Sequence, residues 1–534
     1  MNAALSDDAV SDFHPIVADF MRIGVDVGGT NTDAVALDGS QILASVKTST
    51  TEDISSGVVD ALRQVISNAS LAVSDIRSVM IGTTQFTNAF VQARGLDKVG
   101  VIRLGAPATR ALPPLVAWPL AMKTAVYGDG AILPGGYQVD GSELTSLDED
   151  AVSRTVRGFA DQGLENVAIS SVFGPLNSEA ENRCADIVAQ MMPGASITCA
   201  TDIGRLGLLE RESAAVMNAS LTTLAAKVVD AFTQALQELK IDAPLYITQN
   251  DGTLMQSSAV KKFPVLTFAS GPTNSMRGAA FLTGESDAIV VDIGGTTTDV
   301  GVLSGGFPRE SSINVDIGGV RTNFRMPDIF SMGLGGGSLV TDTAVGPQSV
   351  GHAITEHGWV FSGDTLTATD IAVAAGRAEI GDKTRLKNLS AATVKRADDR
   401  IQQMLAEAVD RMKTHRGDAV VVLVGGGAVL ADKQLPGADR VLVPEQFGVA
   451  NAVGAAIAQV GGEVDRVVSF DKTPRTEALK QLKAEAIDQA VIAGAHRNST
   501  DIVDIEELPL AYVPGQCVRV RVKAVGDLYL ESTP

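Results

Sequence analysis

Two stretches of this chain repeat one pattern: IGVDVGGTNTDAVAL at residues 23–37 and IVVDIGGTTTDVGVL at residues 289–303. In each, an apolar run ends in an aspartate, enters a Gly-Gly-Thr turn and returns through a second aspartate seven positions after the first. The pairs are Asp26 with Asp33 and Asp292 with Asp299, and the second pair follows the first by 266 residues. An apolar run, a glycine turn and a second apolar run read as a β-hairpin. Its recurrence implies two related domains facing each other, and 534 residues are too many for one core.

The turns have the chemistry of an anion cradle. Gly28, Gly29 and Thr30, then Gly294, Gly295 and Thr296, let backbone N–H groups and hydroxyls approach a bound anion closely. Phosphate is the anion such a turn suits. Carboxylates beside it are a contradiction unless a cation intervenes, because two like charges at ~4 Å repel by roughly 4 kcal/mol at an effective dielectric near 20. Magnesium, an oxygen-seeking ion that keeps several waters, resolves it. No GxxxxGK[ST] occurs, so a P-loop lysine is not the solution here.

A third glycine cluster follows a buried-type strand, VVVLVGGGAVL at 420–430, where Gly425, Gly426 and Gly427 offer bare backbone for a flat base. Elsewhere short apolar runs alternate with amphipathic stretches, as in α/β domains. VAISSVF (167–173), DAIVVDI (287–293) and DAVVVLVGGG (418–427) read as strands. Leu221, Leu224, Val228, Phe232, Leu236 and Leu239 mark one face of a helix opening the second half. A helix near 445–460 has small residues, Ala450, Ala452 and Gly454 among them, that permit close packing at a domain junction. From Asp471 a charged helical stretch precedes CVRVRVKAV, whose strict alternation predicts a strand with one wet face. The expected boundaries are an extension at 1–20, disordered or an overlong start, domains at 21–207 and 208–470, and a small α+β segment at 471–534.

Composition narrows the classes of function. A net charge of −20 argues against a nucleic-acid or anionic-membrane surface. Three scattered cysteines, Cys184, Cys199 and Cys517, support neither a disulfide framework nor a cysteine metal site, which fits a reducing cytoplasm. No run of eighteen apolar residues and no signal-like N-terminus is present, so no membrane span or secretion signal is expected.

Two DxGGTxTD hairpins followed by the GGG cluster resemble the actin, hexokinase and heat-shock chaperone ATPase superfamily. That resemblance implies two actin-like, ribonuclease H-like α/β domains with the nucleotide in a cleft between them, phosphates at the hairpins and adenosine at Gly425–Gly427. The segments IGTTQFTNAFVQARG (81–95), LLERESAAVMNASL (208–221), ITQNDGTLM (247–255), FASGPTNSMRGAAFL (268–282) and MGLGGGSL (332–339) narrow it further. In that order they resemble the hydantoinase A/5-oxoprolinase family, which includes the ATP-using subunits of acetone and acetophenone carboxylases.

The resemblance implies an enzyme that spends ATP, with Mg2+, to phosphorylate the carbonyl oxygen of a lactam, cyclic imide or related compound, and that works with a second, hydantoinase B-like subunit. It assigns Asp26, Asp33, Asp292 and Asp299 to catalysis, with Asp26, Asp292 and Asp299 toward the metal. Either Asp33 or Asp299 could instead be a base. Phosphate falls to Gly28, Gly29, Thr30, Thr32, Gly294, Gly295, Thr296 and Thr297. Substrate contacts carried over from the motifs are Thr83, Thr84, Asn88, Arg211, Glu212, Ser270 and Gly271, with Arg211 and Glu212 equally readable as a solvated pair. The loop MGLGGGS is open to reading as flexible and ligand-free.

This chain departs from the family pattern at Asn31, at Gln85-Phe86 and at Thr273-Asn274, and it stops earlier than long members. Two other classes share the fold: a small-molecule kinase, and an ATP-gated module that signals to a partner.

Overall fold

The computed structural model describes residues 20–29, 31–50, 54–311, 314–511, 513 and 515–530. The expected N-terminal extension, apart from Phe20, and Thr30 therefore lie outside the described residues. The chain forms two compact units. Among the described residues, one comprises 20–273, 310–328 and 458–530; the other comprises 274–309 and 329–457.

The strands that position the site are, in chain order, β1 (Met21–Val27), β2 (Asn31–Asp38), β3 (Gln41–Ser49), β4 (Ser78–Thr83), β5 (Leu245–Thr248), β6 (Thr253–Gln256), β7 (Ala288–Ile293), β8 (Thr298–Ser304), β9 (Ile329–Met332), β10 (Ala419–Val424), β11 (Ala438–Leu442), β12 (Gln459–Ser469), β13 (Asp501–Pro509) and β14 (Cys517–Gly526). Three helices matter equally: α1 (Gln85–Val91), α2 (Leu208–Ala219) and α3 (Ser270–Thr283).

Each unit builds its sheet around one of the repeated hairpins. In the larger unit the order is β13-β14-β12-β6-β5-β4-β1-β2-β3. There β1 pairs antiparallel with β2 and parallel with β4, while β2 pairs antiparallel with β3. In the smaller unit β7 pairs antiparallel with β8 and parallel with β10, and β8 pairs antiparallel with β9. The duplicated sequence is thus a duplicated plan, five strands long in each case: β3-β2-β1-β4-β5 and β9-β8-β7-β10-β11.

Alternation explains why these segments are strands. Ile23, Val25 and Val27 point into one core with Ile81 and Val79, and Ile289, Val291 and Ile293 do the same with Val421 and Leu423. The amphipathic stretch after Leu221 is the helix Thr222–Glu238, whose Val228, Phe232 and Leu236 are buried against the larger unit's core, so it belongs with the first hairpin. The expected boundary at 207/208 falls at the start of α2 within that same unit. The helix expected over 445–460 is shorter, Ala450–Ala456, after a tight turn at Phe447–Val449. Its small residues do permit close packing: a Cβ on Gly454 would lie 1.8 Å from the Asn274 carbonyl oxygen, and one on Gly278 1.9 Å from that of Ala450.

The C-terminal stretch forms the helix Arg475–Ile492 and strands β13 and β14, which extend the nine-stranded sheet through β12. Here the expectation of one wet face fails. Arg521 and Lys523 are buried, at 7% and 5% exposure. Carboxylates from distant segments receive them: Lys523 Nζ lies 2.8 Å from Asp251, and Arg521 pairs with Glu310 and Asp504. Buried charges persist when paired in this way.

Candidate functional site

In the first hairpin the seven-residue spacing has a geometric meaning. Asp26 and Asp33 are direct partners across β1 and β2, and opposite residues of an antiparallel pair project from the same face. Both are buried, at 4% and 2% exposure. The Gly28 N–H donates to the Asn31 carbonyl at 3.0 Å and closes the turn, leaving Gly29 exposed at the tip.

Strand β3 completes this hairpin. Lys47 stands opposite Asp33, and its ammonium donates to Oδ1 at 2.5 Å. The Thr50 hydroxyl donates to the Gly28 carbonyl at 2.9 Å and lies 3.2 Å from the hydroxyl of Thr32. Thr32 is fully buried, so its side chain braces the turn from beneath.

Five of the carried-over substrate residues gather beside this turn. The Thr84 N–H donates to the Val27 carbonyl at 3.3 Å, and Asn88 on α1 donates to the Thr84 hydroxyl at 3.3 Å. A Cβ on Gly29 would sit 3.8 Å from the Asn88 amide nitrogen. At the start of α3 the Ser270 hydroxyl donates to the Thr83 carbonyl at 3.3 Å, and Gly271 faces the Thr84 methyl. Thr83 and Ser270 are buried, whereas Asn88 is exposed.

Arg211 and Glu212 serve elsewhere, and the solvated-pair reading is overturned, since they are only 1% and 2% exposed. Glu212 receives a bidentate pair of bonds from Arg103, at 2.6 and 2.7 Å, and a third from Ser170. Arg211 donates to the carbonyls of Ser171 and Arg205; burial lowers its guanidinium pKa, an effect opposed by Glu181. These bonds tie α2 to the strands Val99–Ala106 and Asn166–Ser171, not to the hairpin.

The second hairpin repeats the facing carboxylates, with Asp292 opposite Asp299 and the Gly294 N–H donating to the Thr297 carbonyl at 2.9 Å. Gly295, Thr296 and Thr297 are exposed at the tip, as a cradle requires. Two further glycine runs close on the turn. Gly336 and Gly337 donate to the carbonyls of Gly294 and Gly295 at 2.9 and 2.8 Å. A Cβ on Gly335 would fall 2.5 Å from the Thr296 nitrogen. The MGLGGGS segment is therefore a fitted buttress and not a loose loop. Gly427 donates to the Ile293 carbonyl at 2.7 Å, and a Cβ on Gly425 would lie 2.2 Å from Asp292 Oδ1.

Hydroxyls attend these carboxylates. Ser275 donates to Asp292 Oδ2 at 2.5 Å, and Ser331, opposite Asp299 on β9, donates to Asp299 Oδ1. Burial pushes the Asp299 carboxyl pKa up, and the Ser331 bond draws it part of the way back. Lys47, Ser275 and Ser331 are the residues that sequence reasoning missed, because each is identified only by register or by packing. A lysine one strand away from a repeated aspartate hairpin is the sole signal that was present in the sequence.

Among the described residues no cluster of three or more His, Cys, Asp or Glu side chains stands ready to hold a metal by itself. Magnesium does not need one, since it takes one or two carboxylates and completes its shell with waters and phosphate oxygens. The Asp292–Asp299 pair fits that donor set. The space that Gly425 leaves beside Asp292 keeps one carboxylate oxygen clear of side-chain carbon.

Paired hairpin sheets with glycine-lined turns define the class: a mixed α/β protein of the actin-like ATPase fold. The structure aligns with that of an ATP-dependent caprolactamase from Pseudomonas jessenii at TM-score 0.76, covering 96% of this chain and 89% of that one with 19% identity. The chain belongs to the hydantoinase/oxoprolinase family: its N-terminal region model matches residues 22–192 and the hydantoinase/oxoprolinase model residues 211–382, together more than half of the chain. Among curated relatives, the caprolactamase subunit alpha of Pseudomonas jessenii is 26% identical over 82% of this chain and 65% of its own length. The acetophenone carboxylase gamma subunit of Aromatoleum aromaticum is 26% identical over 66% of this chain and 53% of its own length. The chain thus spans between about half and just under two thirds of these two relatives. No helix among the described residues is long and apolar enough to cross a membrane.

Proposed function

We propose that this chain is the ATP-using subunit of a hydantoinase-type enzyme that activates the carbonyl of a lactam, cyclic imide or related compound for ring opening. The observation that carries the reading is the duplicated hairpin, a pair of facing aspartates behind a glycine turn, in a chain related to an ATP-dependent caprolactamase. An amide carbonyl is resonance-stabilised and resists water. Phosphoryl transfer from ATP to its oxygen would open the carbonyl carbon to water; the ring C–N bond would then break to leave an acyl phosphate, which a second water would hydrolyse to the acid and inorganic phosphate, with Mg2+ offsetting the charge on the phosphates.

The chain's own residues orient and neutralise. Gly29, and Gly295, Thr296 and Thr297, would present N–H groups and hydroxyls to phosphate, while Gly28 and Gly294, also expected there, spend their N–H groups closing the turns. Thr30, which lies outside the described residues, is assigned the same part from sequence. Thr32 supports the turn from below. Asp292 and Asp299 would hold the metal, with Asp26 as the corresponding carboxylate of the first hairpin. Of the three glycines expected at adenosine, Gly426 has open space for it, whereas Gly425 and Gly427 are packed against Asp292 and Ile293. Thr84, Asn88 and Gly271 stand beside the first turn, where a small carbonyl compound would meet the phosphoryl group. Two curated relatives are named subunits, which supports a partner subunit here; the reading takes that partner to be hydantoinase B-like and the complex to be cytoplasmic.

The test is ATP turnover with Asp26→Asn and Asp292→Asn. Both are expected to fall at least about a hundredfold, the scale seen when one transition-state electrostatic contact is removed. Near-normal rates in both would overturn the assignment.

A further inference from the structure

The two hairpins share one backbone plan but differ on the flanking strand. On the strand that flanks each hairpin, the position opposite the second aspartate is Lys47 in the first and Ser331 in the second. The carboxylates of the second hairpin receive hydroxyl donors, Ser275 on Asp292 and Ser331 on Asp299, neither of which carries charge. The first has an ammonium 2.5 Å from Asp33.

We propose that Lys47 is the built-in cation of the first phosphate loop, a positioning residue that compensates Asp33 and offers its remaining N–H donors to a nucleotide's phosphates. This rests on the reading of the hairpins as phosphate loops and deepens it. Three observations support the role. Asp33 is buried, with 4% of its side chain exposed, whereas the Lys47 side chain is 38% exposed, so the ammonium joins a buried carboxylate to the open side of the sheet. An ammonium has three donors, and Asp33 takes one. The residues that follow Lys47 are fastened to the turn itself, Thr48 to the Thr32 carbonyl and Thr50 to the Gly28 carbonyl, which fixes the strand end relative to the glycines. An ordinary surface ion pair has two solvated partners and contributes little; this one has a buried acid placed behind a candidate anion cradle.

The experiment uses the full chain and two readouts. The first is binding of ATP and of adenosine to the wild type, K47M and K47R, with Mg2+ and in EDTA. K47M is expected to lose about tenfold in ATP affinity in EDTA, the worth of one charged hydrogen bond, with a smaller loss in Mg2+ and none for adenosine; K47R recovers most of it. Unchanged ATP binding in EDTA, or equal losses for ATP and adenosine, overturns the proposal. The second needs no variant: the rate of Lys47 amine labelling in the wild type, read by mass spectrometry. ATP and inorganic triphosphate are expected to protect Lys47 while adenosine does not, and equal labelling with saturating ATP overturns the role. A wild type that binds no ATP defeats the phosphate-loop reading itself, whereas one that binds ATP with Lys47 unprotected defeats only this inference.

Discussion

A methyl group at Gly425 would collide with the Asp292 carboxylate, and the backbone there holds a φ of +82°, which L side chains rarely adopt. Gly426, one residue on, has open space where a Cβ would go. The pair makes a controlled comparison: Gly425→Ala should cost about 1–3 kcal/mol of stability, the usual penalty of overpacking, and weaken nucleotide binding. Gly426→Ala should melt within a degree or two of the wild type, by about the effect of a neutral surface change. Urea unfolding and nucleotide titration of both variants check this. At this scale the sequence was informative about glycines and aspartates, because a doubled DxGGTxTD has few structural uses. It was silent about Ser275 and Ser331, which reach the aspartates only through tertiary packing.

Elements show where buried charge stabilises the architecture. Glu212 on α2 is the acceptor for Arg103 from the strand Val99–Ala106, with both side chains almost wholly buried. Removing one partner leaves the other charged and alone, so Glu212→Ala should destabilise by about 3–5 kcal/mol in chemical unfolding. A second network joins Asp251 after β5, Arg325, Glu463 on β12 and Lys523 on β14. Burial alone would raise the Asp251 carboxyl pKa, but Arg325 and Lys523 outweigh it and hold the pKa well below its ordinary 3.8. A carboxyl with a depressed folded pKa contributes stability that is full above its unfolded value and lost as pH falls toward the folded one. The stability gap between the wild type and Asp251→Asn should therefore be widest near about pH 7 and narrow below about pH 4, as followed by thermal melts across pH. These strands were legible from alternation. The burial of Arg521 and Lys523 was not, because an alternating Val-Arg pattern carries no record of carboxylates that lie hundreds of positions away.

For the whole molecule, the duplicated hairpin foretold the duplicated sheet plan, since repetition of sequence at constant spacing is repetition of fold. How the chain partitions was less visible. Residues 310–328 return to the larger unit after the second hairpin has been built, held by Glu310 to Arg205 and Arg521 and by Arg325 to Asp251. No composition change marks that return. The functional prediction at this scale is Mg2+-dependent ADP release by the purified chain, tested against lactams, cyclic imides, ketones and polyols with and without the neighbouring gene's product. Stimulation by one cyclic amide with ring opening is the expected outcome. A stable phosphate ester formed from a polyol would instead identify a kinase.

The nine-stranded sheet sets an order of events during synthesis. Strands β1 to β6 are made before the smaller unit, yet the outer strands β12, β13 and β14 emerge only after that unit has been made. Until then β6 has no neighbour on its outer side, and its free N–H and C=O groups can recruit a strand from any chain nearby. A nascent copy of this protein consequently carries an open sheet margin while the 202 residues between β6 and β12 are made. The polysome, where several such copies lie side by side, is the setting in which its folding is most exposed to error.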